Sequence, residues 1–176
     1  MTQPAAPNIL LLERGVELVE AVDDSLYTCA NSNRPGGSVG RHVRHCLDFY
    51  ASLLRGVPSG AVDYALRARD IDVETRRDRA RARLRETIEA LTSLRAAEMN
   101  RAVLVRSEEE EPWSRSTVLR ELQFVRSHTV HHYALIGVLL RTLGFEPGEE
   151  FGVAPSTLRH WKNPVPERQV WKTSPC

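Results

Sequence analysis

The sequence predicts an all-α fold, a four-helix bundle with one long crossover and short extended or irregular segments. Two observations carry this. Apolar residues recur every three or four positions through four long stretches, the spacing of a single buried helix face, while alternating strand-like runs are almost absent. Clusters of turn-forming residues separate these stretches, and the longest gap falls between the second and third.

The first helix is expected from about Asn8 to Cys29, with Leu11, Val16, Leu18, Val19, Val22 and Leu26 at helical spacing. Asn31-Ser-Asn-Arg-Pro-Gly-Gly37 reads as a loop. Ser38 is placed to cap the second helix, which runs to about Arg55 with Gly56 past its end. The third helix covers about Val73 to Met99. Its apolar positions are Ala80, Leu84, Ile88, Leu91 and Leu94, six arginines between Arg76 and Arg85 fill its other faces, and Asp72 is its expected cap. Ala102-Val-Leu-Val-Arg106 looks extended, and the acid run ending at Pro112 breaks it, so a short hairpin fits here. The fourth helix starts near Ser116 and ends before Gly144. Residues 1–162 are expected to form one domain and 163–176 a poorly ordered tail.

At 176 residues, the chain is long enough for a substantial single core. Its 24 basic and 23 acidic residues nearly cancel, which argues against a broad nucleic-acid or anionic-membrane footprint. No apolar run approaches the roughly 20 residues needed to span a bilayer. No basic stretch precedes the first apolar run, so no signal peptide is expected. The three cysteines (Cys29, Cys46 and Cys176) form no CxxC pair, and reduced thiols in a cytoplasmic protein fit this spacing.

His128 and His132 carry the most chemistry. Four residues apart on one helix, they lie about 40° apart on the helical wheel, where a single divalent cation can reach both imidazoles. On that wheel the pair faces the bundle core, with Glu121, Phe124, Leu135 and Leu139 nearby and His131 at the margin. A third ligand must come from another helix, and the second helix offers His42 and His45. The wheel places His42 inside the margin of the apolar stripe and His45 at its outer edge, which leans toward His42 and leaves His45 open. Three histidines suit zinc, nickel, iron or copper and leave a fourth position open, the form of a catalytic rather than a closed structural site. Unperturbed imidazoles titrate at about 6.5, so metal release is expected below about pH 6.

Two stretches resemble the DinB/YfiT-like superfamily of bacterial four-helix proteins. Ser38-Val-Gly-Arg-His-Val-Arg-His45-Cys-Leu is similar to the pattern of that family's second helix. Arg120-Glu-Leu-Gln-Phe-Val-Arg-Ser-His128-Thr-Val-His-His132 is similar to its late HxxxH. The resemblance implies a three-histidine metal site at His45, His128 and His132, and so selects His45 over His42. Two features depart from the pattern. Gly37 stands where the family has a tryptophan before the second helix, and Ala134 stands where related sulfoxide-synthase domains have a glutamate.

The resemblance also implies a chemistry. Superfamily members use low-molecular-weight thiols such as bacillithiol or mycothiol in S-transfer or isomerisation. The first expectation is therefore a cytoplasmic, zinc- or nickel-dependent thiol S-transferase with a small-molecule substrate. A non-catalytic, stress-associated metal-binding protein, dimeric through its first and fourth helices, is the expectation from a different class. A metal-activated hydrolase of a small substrate is the third. Glu74 and Glu121 are the candidate catalytic carboxylates, with Asp70 as a further base. Arg67 or Arg69 is placed to grip a substrate carboxylate. Cys46 falls on the apolar stripe and is expected to be buried and inert.

Overall fold

The computed structural model describes residues 3–29, 37–109 and 112–163. Most of the expected loop before the second helix and most of the expected tail, residues 164–176, lie outside them. In chain order the elements are α1 (Ala6–Ala21), α2 (Asp24–Thr28), α3 (Val39–Ser59), β1 (Ala61–Asp63), α4 (Ile71–Thr75), α5 (Arg77–Thr92), a 3-10 turn (Ala96–Glu98), β2 (Ala102–Arg106), β3 (Ser114–Thr117), α6 (Val118–Thr142) and α7 (Pro155–Lys162). The long helices α1, α3, α5 and α6 form the bundle: α1 packs on α5 and α6, and α3 packs on α5 and α6. Leu12, Tyr50, Leu53, Leu84, Leu91, Leu122, Ile136 and Leu140 meet in its core. The buried Tyr50 hydroxyl donates to Asn8 Oδ1 at 3.0 Å, so these two polar groups of the core pair with each other.

Three helix boundaries differ from expectation, each for a local reason. The first helix divides because Val22 is extended and Asp23 starts a new helix, its carboxylate accepting from the Leu26 N–H at 2.8 Å. The third divides at the extended Arg76; Asp70, not Asp72, caps its first piece, and its second piece ends at Thr92, short of Met99. The second helix runs through Gly56 to Ser59 and closes at Gly60, whose φ of 76° lies in the left-handed region that glycine adopts without strain. Gly56 instead serves packing. A Cβ there would lie 2.6 Å from the Ala61 carbonyl oxygen and 2.7 Å from the Val62 Cα, so its absence lets β1 fold back against α3.

The expected hairpin forms: β2 and β3 pair antiparallel, with Ala102 opposite Thr117. A third strand, β1, joins β2 in parallel, in the order β1-β2-β3. It is too short to show in the apolar pattern. Thr117 caps α6, accepting from the Arg120 N–H at 3.2 Å. Most arginines of α5 face outward, and several pair with neighbouring acids, Arg85 with Glu20 at 2.9 Å and Arg83 with Glu86 at 2.9 Å. At such exposed positions these pairs serve solubility more than stability. Helix α7 was not expected from the sequence.

Gly56→Ala is expected to lower folding stability by about 1–3 kcal/mol, because the clash is with backbone and outweighs alanine's helical preference. Urea unfolding measures it, and an unchanged midpoint would show that β1 can move away freely.

Candidate metal centre

The site lies where α3 and α6 cross the same ground in opposite directions. His42 meets His132, His45 meets His128, and Phe49 meets Phe124. Rising numbers on one helix match falling numbers on the other, so the two run antiparallel here. Steps of three or four residues on each helix bring successive side chains to one seam. The buried stripe of α6 is Val118, Leu122, Val125, Thr129, Tyr133, Ile136 and Leu140. His128 and His132 each precede a member of that stripe by one residue, so they sit on its flank. They are half-buried between core and solvent rather than in the core itself, and Leu135, expected on their face, is 40% exposed.

His128 Nε2 lies 3.2 Å from His45 Nε2 and 3.2 Å from His132 Nε2. One nitrogen from each of the three rings falls within 4.8 Å of the other two. Zinc–imidazole bonds are about 2.0–2.1 Å, so nitrogens bound to one cation at 90–110° sit about 2.9–3.4 Å apart. The two distances to His128 match this spacing. His42 Nδ1 lies 2.9 Å from His132 Nδ1, on the far side of that ring. With the shared proton on His132, the His132 Nε2 lone pair faces the other two histidines, which is how an outer partner orients a ligand. His128 Nδ1 is buried and has no hydrogen-bond partner among the described residues. The structure thus brings His45, His128 and His132 together and puts His42 behind His132. His131 is exposed at the margin.

The electrostatics favour neutral rings. Burial, then the neighbouring histidines and Arg67, push His45 down to about 4. Burial likewise holds His128 at about 4, with Glu108 partly opposing, and His132 at about 3. Neutral imidazole is the ligating form, so these rings are ready to bind a cation across the physiological range.

Two cavities flank the rings. One, of about 630 Å³, is lined by Arg41, His42, Arg44, His45, Arg67, Arg69 and His132. The other, of about 370 Å³, has Phe49, Tyr64 and Phe124 in its wall, with Glu108 and Glu121. Phe49 lies against His128 at 4.1 Å between centroids and stacks on Tyr64 at 5.1 Å. This aromatic wall was not singled out from the sequence, although Phe49 and Phe124 follow and precede ligand candidates by one helical turn. Arg67 lies 5.3 Å over the Phe49 ring, donates to Glu108 at 2.7 Å, and has Nη1 3.4 Å from His45 Nδ1. Glu74 accepts from Arg44 Nε at 2.8 Å. Glu121 is buried and accepts from the hydroxyls of Tyr64 at 2.9 Å and Ser116 at 2.6 Å. Cys46 is buried as expected, and burial pushes its thiol up to about 12, leaving it protonated at neutral pH.

The DinB superfamily matches residues 12–136, a span that includes α3, α6 and all three clustered histidines. The chain belongs to the DinB superfamily. It is also similar to FK506-binding protein 5 of Rhizopus delemar, 34% identical over 106 residues, which are 57% of this chain and 28% of that protein. The chain therefore spans little more than a quarter of that relative's length. No solved structure matches the chain. Together, the family and the three-histidine cluster support a divalent-metal-binding protein.

Burial changes the pH expectation. An imidazole whose folded pKa is depressed takes up its proton first in the unfolded chain. Between about 6.5 and about 4 the unfolded state therefore binds more protons, and folding stability falls as pH falls. The metal-free protein should lose thermal stability through this window, and His132→Ala should flatten the profile. Bound metal should be retained through pH 5 and released only as pH nears about 4, not near 6. Calorimetry and metal analysis across pH test both, and release already complete at pH 6 would refute the buried-ligand account.

Proposed function

We propose that this protein is a metal-dependent enzyme of the thiol S-transferase type. In this reading His45, His128 and His132 hold one divalent cation, zinc or nickel, and a low-molecular-weight thiol is the cosubstrate. The observation that carries it is His128 Nε2 at metal-ligand spacing from both His45 Nε2 and His132 Nε2, beside a cavity that His45 and His132 themselves line. Three protein ligands leave room for an exogenous one. A divalent cation bound there would favour the thiolate form of a thiol at neutral pH.

The chain's own residues supply the rest. Phe49, Tyr64 and Phe124 exclude water from one side of the rings and offer an apolar wall for the electrophile. His42 orients His132 through the contact between their Nδ1 atoms. Glu74, held by Arg44, and Glu121, held by two hydroxyls, act as positioning carboxylates rather than as the proton acceptor. Cys46 takes no part, because its thiol stays protonated in the core.

The test has two stages. Protein loaded with zinc or nickel should retain one metal per chain, and His45→Ala, His128→Ala and His132→Ala should each lose most of it. His42→Ala should weaken binding by about 10- to 100-fold, the usual effect of removing a ligand's outer partner. The loaded protein should then accelerate conjugation of bacillithiol, mycothiol or glutathione to a chlorobimane probe. That acceleration should vanish with chelator and in His128→Ala, and survive in Cys46→Ala. Retention of metal without acceleration of any thiol would leave a non-catalytic metal-binding protein. Acceleration that survives chelation but dies in Cys46→Ala would make the protein's own cysteine the nucleophile.

A further inference from the structure

The larger cavity beside the histidines has an unusual wall. Four arginines line it, Arg41, Arg44, Arg67 and Arg69, and no carboxylate among the described residues does. Two of the four are neutralised from behind. Arg44 is held by Asp48 at 2.7 Å and Glu74 at 2.8 Å, and Arg67 by Glu108 at 2.7 Å. The Arg67 Nε is buried and has no hydrogen-bond partner among the described residues. The other two are uncompensated. Neither the Arg41 nor the Arg69 guanidinium makes an ion pair or hydrogen bond with a described residue.

An exposed arginine is ordinarily just a solvated charge. Two features set these apart. First, Arg69 sits at φ 51°, the only non-glycine residue with positive φ among those described, a backbone state that costs strain and persists where the surroundings impose it. Asp48 is bonded at this turn: one carboxylate oxygen takes Arg44, and the other accepts the Arg69 backbone N–H at 3.3 Å. Asp48 is thus fully used away from the Arg69 side chain. Second, like charges converging on one cavity repel each other, and an anion between them relieves that repulsion. The space, about 630 Å³, has the size of a small-metabolite site.

We infer that this cavity binds the oxyanion end, carboxylate or phosphate, of a small anionic metabolite, with Arg41 and Arg69 as the free donors and Arg67 as the inner one. Guanidinium groups recognise both anions by paired N–H donors. Because His45 and His132 line the same cavity, a molecule held by its anionic end points its remainder at the three imidazoles. That the bound molecule is a reactant rests on the metal-centre reading above, whereas its binding does not.

Calorimetric titration tests this with three probes: succinate, methyl phosphate and uncharged succinamide. Each is titrated into metal-free protein in chelator and into zinc-loaded protein. Succinate or methyl phosphate should bind saturably and succinamide should not; the preferred anion tells carboxylate from phosphate. Arg41→Gln and Arg69→Gln should each weaken binding by at least about tenfold, the worth of one charge-assisted hydrogen bond. Arg79→Gln, an exposed arginine on α5 outside the cavity, should change it by less than about twofold. The inference is overturned if neither anion binds saturably, if succinamide binds as well, or if Arg79→Gln weakens binding as much as Arg69→Gln. Anion binding by a protein that retains no zinc when loading is attempted would sink the metal-centre reading alone. Metal retention without anion binding would sink this inference alone. Circular dichroism confirms folding of each variant, whose substituted side chains are all solvent-facing.

Discussion

The antiparallel seam of α3 and α6 is the contact on which the rest of the structure depends. It sets His42, His45 and Phe49 against His132, His128 and Phe124, so one packing decision places every ring of the centre. The Nε2 atoms of His45 and His132 converge on that of His128, whose own Nδ1 is buried without a hydrogen-bond partner among the described residues. The seam tolerates them because burial keeps the rings neutral and because the core stripe of α6 runs beside the histidines rather than through them. Core and centre therefore share two helices without competing for the same positions.

The crossover between α3 and α4 completes the site from outside the seam. Its path depends on Gly56, which lets β1 approach α3, and on β1 pairing with β2. The Tyr64 N–H then donates to the Arg106 carbonyl at 3.0 Å, which anchors the segment that carries Tyr64, Arg67 and Arg69 over the rings. A three-residue strand contributes little stability by itself. Its value is positional: it delivers an aromatic side chain to one side of the histidines and guanidinium groups to the other.

The division of charge around the site follows from the same arrangement. Acids are spent structurally, Asp48 and Glu74 on Arg44, Glu108 on Arg67, and Glu121 on two hydroxyls. What remains facing the larger cavity is positive. A near-neutral chain thus carries a locally basic pocket, which whole-chain charge counting cannot reveal because it averages over pairs that point away from one another.

Much of this was legible in the residues alone. Helical periodicity located the four long helices, since a buried face must recur every three or four residues, and it marked His128 and His132 as neighbours on one face. It also placed Cys46 in the core. It failed at ends and joints, where a single extended residue such as Arg76 or a missing Cβ such as that of Gly56 decides the path and leaves no periodic trace. The choice between His42 and His45 was equally out of reach of a helical wheel. Both lie near the same margin, and which one joins His128 depends on the rotation and offset of α3 against α6. The sequence determined which helices could bring histidines to a seam. Only the tertiary packing decided which nitrogens meet there and which arginines surround them, because contacts between segments 20 to 90 residues apart are set by the fit of whole surfaces, not by local spacing.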